Sequence, residues 1–218
     1  MRPALALFLS LSLAGCAPTE QTSPRQIPEA WAPARPIVHT PMSQQEALAQ
    51  RASQLAVTAQ QGKVDAPPDV GLVRWTTMDD YAPTVAACLR EAGYHAVAYS
   101  GTGIDYPDGI PPEQQRAFNM ADYVCNAKYT LHPKYLQPFT SEQFGLIYDY
   151  RVEWLAPCLE VRGHTVSEPP TRETFLAGVT TGQDWDPLAE ALQNLPADDG
   201  NRLQAECPRM PPSQYLWG

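Results

Sequence analysis

The chain has 218 residues, of which 24 are acidic and 15 are lysine or arginine, giving a net charge of −9 at neutral pH. That balance excludes nucleic acid and a polybasic membrane-binding face, since both need clustered cations against phosphate. The length leaves room for one sizeable core or two small ones. Lysine occurs only at positions 63, 128 and 134, whereas arginine, alanine and the 23 prolines are frequent, a bias that reads as high-GC coding.

The first 16 residues have the layout of an export signal. Arg2 supplies a positive start, residues 4–13 carry no charge and are mostly apolar, and the run ends in Leu13-Ala14-Gly15-Cys16. The apolar stretch is too short for a bilayer, which takes about 20 residues. The final tetrapeptide matches the lipobox of bacterial lipoproteins. The match implies diacylglyceryl transfer to the Cys16 thiol, cleavage between Gly15 and Cys16, and loss of residues 1–15. Acyl chains would then hold the mature protein at the membrane, and no later stretch is apolar enough to span one.

Residues 17–40 are rich in Pro, Ser, Thr, Gln and Ala, with prolines at 18, 24, 28, 33 and 36. Such a segment buries too little apolar surface to offset its ordering entropy, so residues 16–40 are expected to form a flexible, lipidated tether. Trp31, Ile37 and Val38 are its candidates for docking. A single globular domain is expected over 41–218. Thr40-Pro41 reads as an N-cap and first helical residue, followed by a helix to Gln61 and a stop at Gly62. Leu48, Ala52, Leu55 and Ala59 make a narrow apolar stripe on it. A strand is expected over 70–75, after Pro67-Pro68.

Two later segments resemble each other. Cys88-Leu89-Arg90-Glu91-Ala92-Gly93 and Cys158-Leu159-Glu160-Val161-Arg162-Gly163 share the pattern Cys-Leu-x-x-x-Gly, each followed by a short run containing valine. The pattern reads as a helix with cysteine near its last turn, a left-handed glycine cap, and a turn into a strand. Thr77 or Asp79 can cap the first helix, and Thr140-Ser141-Glu142-Gln143 offers a capping box for the second. The second helix, about 141–162, sets Phe144, Ile147, Tyr148, Val152, Leu155 and Leu159 on one apolar face. Cys125 and Cys207 come later, in helix-like stretches at 113–127 and 202–207. The resulting expectation is an α+β fold of two related helix–strand–helix halves, about 77–135 and 140–210, behind a disordered tether.

Four cysteines after Cys16 in an exported chain read as two disulfides, for which three pairings exist. The internal duplication favours Cys88–Cys125 with Cys158–Cys207, one bond closing each half; the alternative of most interest joins Cys88 to Cys158. Zinc binding is disfavoured, as no Cys-x-x-Cys occurs. The unit Cys88-Leu89-Arg90-Glu91-Ala92-Gly93-Tyr94, its Pro/Gly-rich continuation and the helix bearing a second cysteine resemble a repeated module in uncharacterised exported lipoproteins of high-GC Gram-positive bacteria. The resemblance covers about 79–129 and, more loosely, 144–208. It implies the disulfides and no activity.

Catalytic signatures are weak. Ser100-Gly101-Thr102-Gly103 lacks the features of a phosphate cradle, and no Gly-x-Ser-x-Gly occurs. Asp105-Tyr106-Pro107-Asp108-Gly109 could offer carboxylates to calcium, yet a turn with Asx hydrogen bonds explains it as well, and Asp198-Asp199-Gly200-Asn201 reads as a turn. His39, His95, His132 and His164 have no metal-ligand spacing; His95 and His164 would approach each other only under a pseudo-symmetry of the halves. No cofactor and no metal are expected. Tyr215-Leu216-Trp217-Gly218 is expected to dock on the body, and most of the many aromatic residues to fill the core. These features point to a non-enzymatic envelope lipoprotein, anchored on the extracytoplasmic face, that binds a protein or cell-wall partner. The competing readings are an envelope enzyme using carboxylate acid and base on wall glycan or peptide, and a small-ligand carrier.

Overall fold

In the computed structural model of the chain, residues 30–98 and 103–218 are described. The expected signal segment, Cys16, the first part of the expected tether and residues 99–102 lie outside them. Helix α1 (Gln44–Gln61) begins at Ser43, whose hydroxyl accepts the Glu46 N–H at 3.2 Å, three residues later than Thr40-Pro41 suggested. Gly62 comes after its last turn in right-handed conformation, with φ −76°. The left-handed residue is Lys63, at φ 50°. Lys63 N–H bonds Gln60 C=O and Val64 N–H bonds Ala59 C=O, the pair of bonds that closes a Schellman motif. Gly62 serves close packing instead: a Cβ there would sit 3.7 Å from Asn119 Cβ and 3.2 Å from the Thr58 carbonyl.

Helix α2 (Tyr81–Glu91) is prepared by a reciprocal cap in which Asp80 N–H donates to Thr77 Oγ1 and Thr77 N–H donates to Asp80 Oδ1. Its Cys-Leu-x-x-x-Gly unit ends as the sequence indicates. Gly93 has φ 95° and Tyr94 N–H bonds Leu89 C=O; in the second copy Gly163 has φ 86° and His164 N–H bonds Leu159 C=O. Beyond the two glycines the copies diverge. After Gly93 the chain forms β1 (Val97–Ala98), antiparallel to β2 (Ile104–Asp105). After Gly163, residues 164–171 form neither helix nor strand. Pro169 and Pro170 bring no N–H to a ladder, and the Ser167 N–H and hydroxyl are taken by the Glu190 carboxylate. Of the expected α+β arrangement, the described residues show a mostly helical fold with one two-stranded hairpin, and the strand expected after Gly163 is absent.

The disulfides are Cys88–Cys125 and Cys158–Cys207, with Cα separations of 5.8 and 5.9 Å. The first joins α2 to α3 (Gln115–Lys128). Each closes a loop of tens of residues, which by chain entropy stabilises the fold by about 4 kcal/mol. The second leaves from a long helix in three parts: α4 (Ser141–Tyr150), a π turn (Arg151–Leu155) and α5 (Ala156–Val161). Thr140 and Gln143 form the expected capping box. The widened turn lies just ahead of Pro157, whose missing N–H cannot continue the α ladder.

The rest of the chain wraps this helix with α6 (Arg172–Val179), α7 (Pro187–Leu192), α8 (Ala197–Glu206) and α9 (Ser213–Trp217). Residues 198–201, expected as a turn, lie inside α8. Asp198 and Asp199 occupy its first turn, where the helix dipole favours them, and Gly200 leaves space for Leu192, 3.2 Å from where a Cβ would be. The strand expected at 70–75 is likewise absent. Its neighbour is the end of α3, so Val73 N–H bonds Lys128 C=O and a single parallel bridge joins Thr76 to Leu131. The main core gathers Leu155, Leu159, Phe175, Leu188 and Leu216 around the second disulfide, and a smaller one gathers Val85, Leu89 and Ala96 around the first. Leu216 is fully buried, so the chain end docks as expected.

The stretch read as a tether is pinned before its end. Trp31 is 6% exposed within the main core and Ile37 packs against it, while Val38 stays exposed at 91%. At α1 the strained site offers a simple gain. Lys63 is exposed and takes no part in the core, so Lys63→Gly removes the left-handed strain and raises stability by about 0.5–1 kcal/mol after the extra freedom of glycine in the unfolded chain is deducted, measurable as a shifted denaturant midpoint with an unchanged slope.

Candidate functional site: an aromatic groove

A cavity of about 570 Å³, open along one side, runs between the long helix and the segment after the second disulfide. Its floor comes from three elements far apart in sequence. Trp31 enters from the N-terminal stretch, donates its indole N–H to Glu153 Oε2 at 2.9 Å, and meets Tyr150 and Tyr215 edge-on at 5.2 and 5.8 Å. Tyr150 closes α4 and donates its hydroxyl to Pro208 C=O at 2.7 Å. Burial pushes the Tyr150 phenol above its ordinary range, so it remains a neutral donor.

One helical turn on, Trp154 stacks on Tyr150 with ring centroids 5.3 Å apart and planes 16° apart. Tyr150 is buried and covers one face of Trp154, which is itself half-buried and lines the groove. The facing wall is a proline-rich segment with Pro208, Met210, Pro211 and Pro212, continued by Tyr215 and Trp217 of α9. The acidic and basic side chains of the lining are Asp79 and Arg209. Asp79 accepts a hydrogen bond from the Ser213 hydroxyl. Arg209 pairs with Asp186 at 2.8 Å. Gln204 and Gln214 add amides to the lining. The arrangement presents flat apolar surface edged by planar polar groups, which suits stacking with hydrogen bonds at the periphery.

Behind the groove sits a buried cation. Arg151, in the π turn, is 5% exposed; it pairs with Asp184 at 2.8 Å, lies 3.7 Å from Asp186 and packs on the Phe175 ring. Asp186 also caps α7 by accepting from Leu188 and Ala189 N–H, and so ties Arg151, Arg209 and that helix together.

A second cleft of about 750 Å³ shares Trp217 as a wall and is lined by residues of the 37–42 stretch, His132 and Lys134. Lys134 Nζ donates there to the carbonyl oxygens of Trp217 and Gly218. The four histidines are dispersed. His95 pairs with Asp108 at 2.7 Å, within the turn expected at 105–109, and His164 lines a shallow cleft with Arg162 and Glu206. His132 faces Trp75, and burial with the nearby Lys134 charge lowers its pKa. His39 packs against Gly218. Among the described residues, no group of three or more His, Cys, Asp or Glu is placed to hold a metal ion.

Of the residues singled out in the sequence, the four cysteines form the two bonds, and Tyr150, Trp154, Tyr215 and Trp217 converge on the groove. Met78, Met210 and the prolines of its wall carried no sequence signal beyond the Pro208–Pro212 cluster beside two aromatic residues. A separate polar cluster lies on α2 and α3: Tyr81 donates to Asn126 Oδ1 at 2.5 Å, and Asn126 donates to Asp122 Oδ1 at 3.1 Å. Burial raises the Asp122 carboxyl, and burial with that neighbouring carboxylate pushes the Tyr81 phenol up to about 12.

No protein-family model, no curated protein and no solved structure matches the chain. The Asp122 cluster gives a direct check on the packing of α2 against α3. With its folded-state pKa above the unfolded value, Asp122 favours folding at low pH, and that contribution is lost as pH rises through the folded pKa. Asp122→Asn is therefore more stable than the parent at pH 7. The difference closes as pH falls below about 4, which paired denaturant titrations across that range would read.

Proposed function

We propose that this chain is an exported lipoprotein, held at the extracytoplasmic face of the cell membrane by lipid on Cys16, which binds an envelope or cell-wall partner through the aromatic groove. The observation that carries the binding half is the groove: aromatic planes contributed by Trp31, Tyr150, Trp154, Tyr215 and Trp217 along one open cavity. Trp154, Tyr215 and Trp217 are half-buried along it, over a floor of buried Trp31 and Tyr150, and half-buried aromatic rings in a concave, open cleft are the usual anchors of a binding face. The address rests on the lipobox and on the resemblance of 79–129 to a module of exported lipoproteins. Two disulfides fit an oxidising compartment. The matching Cys-Leu-x-x-x-Gly caps, each on a helix bonded to a later cysteine, support descent of the two halves from one duplicated unit.

The groove favours binding over the competing roles. Carboxylate acid–base hydrolysis needs two facing carboxylates, and the described lining offers Asp79. A small-ligand carrier needs an enclosed apolar pocket, and this cavity is open.

Three versions of the full chain, the parent, Cys16→Ala and Trp154→Ala, test both halves. Cys16→Ala loses palmitate labelling and leaves the membrane fraction. Trp154→Ala keeps its label and still unfolds in one cooperative transition, at a lowered midpoint because the ring stacks on Tyr150, yet under conditions where both are folded its detergent-solubilised form binds lipid-free wall preparations at least about tenfold more weakly than the parent. Retained labelling in Cys16→Ala would remove the anchor, and undiminished wall binding by Trp154→Ala would remove the groove.

A further inference from the structure

Resting on the reading of the groove as the binding face, we infer that residues 30–42 form a detachable strap. Its docking through Trp31 completes the groove, and a bound partner in return holds the strap down. The parts of the groove are fastened very differently. The long helix and the proline-rich wall with α9 are joined by Cys158–Cys207, by the Tyr150 hydroxyl on Pro208, and by the Gln143 amide, which donates to Leu216 C=O at 2.8 Å. The third contributor, Trp31, arrives on a segment without a covalent tie to either.

Residues 30–42 form neither helix nor strand, and among the described residues none of their backbone groups bonds to another backbone group. What fastens the segment is the Trp31 side chain, through its N–H on Glu153 Oε2 and its burial. Pro33, Ile37, His39 and Met42 are half-buried, and the other residues are exposed. Few buried apolar contacts and a solvated backbone mark a unit that opens by itself, at less cost than global unfolding. Pro33, Pro36 and Pro41 restrict the released chain, so redocking loses less freedom.

The indole sits where its departure matters. Trp31 stands edge-on to Tyr150 of the helix and to Tyr215 of α9, and it lines the cavity between them. When it leaves, the floor goes with it. A partner seated against that floor binds the docked form better, and by linkage it favours docking by the same factor that docking raises its affinity. Ser43, at the start of α1, is 12 residue steps beyond Trp31. Release therefore adds about 40 Å of extendable chain on the N-terminal side of the body. Groove occupancy and the reach of the body are set by one indole.

The test is limited proteolysis of the full detergent-solubilised chain by elastase, which cuts after small aliphatic residues and so finds Ala34 and Val38 in the strap. Mass spectrometry reads cleavage within 30–42 with and without lipid-free wall preparations. The expected rate barely changes at low urea, as local opening requires, and falls at least about threefold with wall. Without wall, Glu153→Ala, a surface change that leaves the indole in place, is cut about fivefold faster than the parent. Trp31→Ala is cut at least about tenfold faster and binds wall at least about tenfold more weakly. Wall slows cutting of Trp154→Ala far less than that of the parent, which separates the effect from inhibition of the protease. Cutting that rises with urea in step with global unfolding, or that is as fast in the parent as in both strap variants, overturns the strap. Cutting unchanged by wall, with wall binding lost in Trp154→Ala but kept in Trp31→Ala, overturns the coupling and leaves the groove as the binding face. If neither tryptophan variant changes wall binding, the groove reading fails and the inference with it.

Discussion

The Cys158–Cys207 bond is the constraint on which the groove depends. Cys158 sits on α5, two turns beyond Tyr150 on the long helix, and Cys207 closes α8 immediately before the proline-rich wall. One covalent link therefore fixes the spacing between the aromatic floor and the segment facing it. The Tyr150 hydroxyl on Pro208 C=O repeats that link non-covalently one residue past the bond. Arg162 adds a further contact between the same two elements through Glu206 at 2.5 Å. Prolines in the wall restrict its backbone independently, so the two sides of the groove are held with little conformational freedom.

The π turn serves the same geometry from the other side. By widening one turn ahead of Pro157, it turns Arg151 and Leu155 inward and leaves Trp154 beside Tyr150 facing outward. The buried guanidinium is costly to desolvate and is held by the Asp184 carboxylate, the Trp185 carbonyl and the face of Phe175, with Asp186 close by. Since Asp186 also holds Arg209 at the groove and caps α7, the electrostatics behind the floor reach its rim through a single carboxylate.

What the sequence made legible was local. Caps, breakers and cysteine spacing identified the Thr140 capping box, the left-handed Gly93 and Gly163, the extent of the 141–161 helix and the disulfide pairing, because each depends on residues within a few positions of one another or on a small number of alternatives. Elements that need a distant partner were misread. Residues 70–75 and 164–166 have strand composition, but no neighbouring strand pairs with them. Residues 198–201 have turn composition, but fit the charged first turn of a helix pressed against Leu192. The groove was the least visible feature, since its floor brings together Trp31, Tyr150 and Tyr215, and nothing local to any of the three announces the others. An isolated tryptophan in a proline-rich stretch carries the composition of a linker whether or not it finds a slot.

That slot would shorten the leash of a chain anchored at Cys16. Counted from the lipobox cysteine, Trp31 is 15 residue steps on, so the buried indole and not residue 40 sets the near end of the folded body. Fully extended, so short a span reaches about 50 Å. A molecule attached by lipid at one end and by a buried indole at the other would patrol a hemisphere of that radius, in which its groove meets membrane-proximal material at an effective concentration in the roughly millimolar range. On the proposed anchoring, even a weak individual contact would then be occupied much of the time, and the groove would begin where the leash ends.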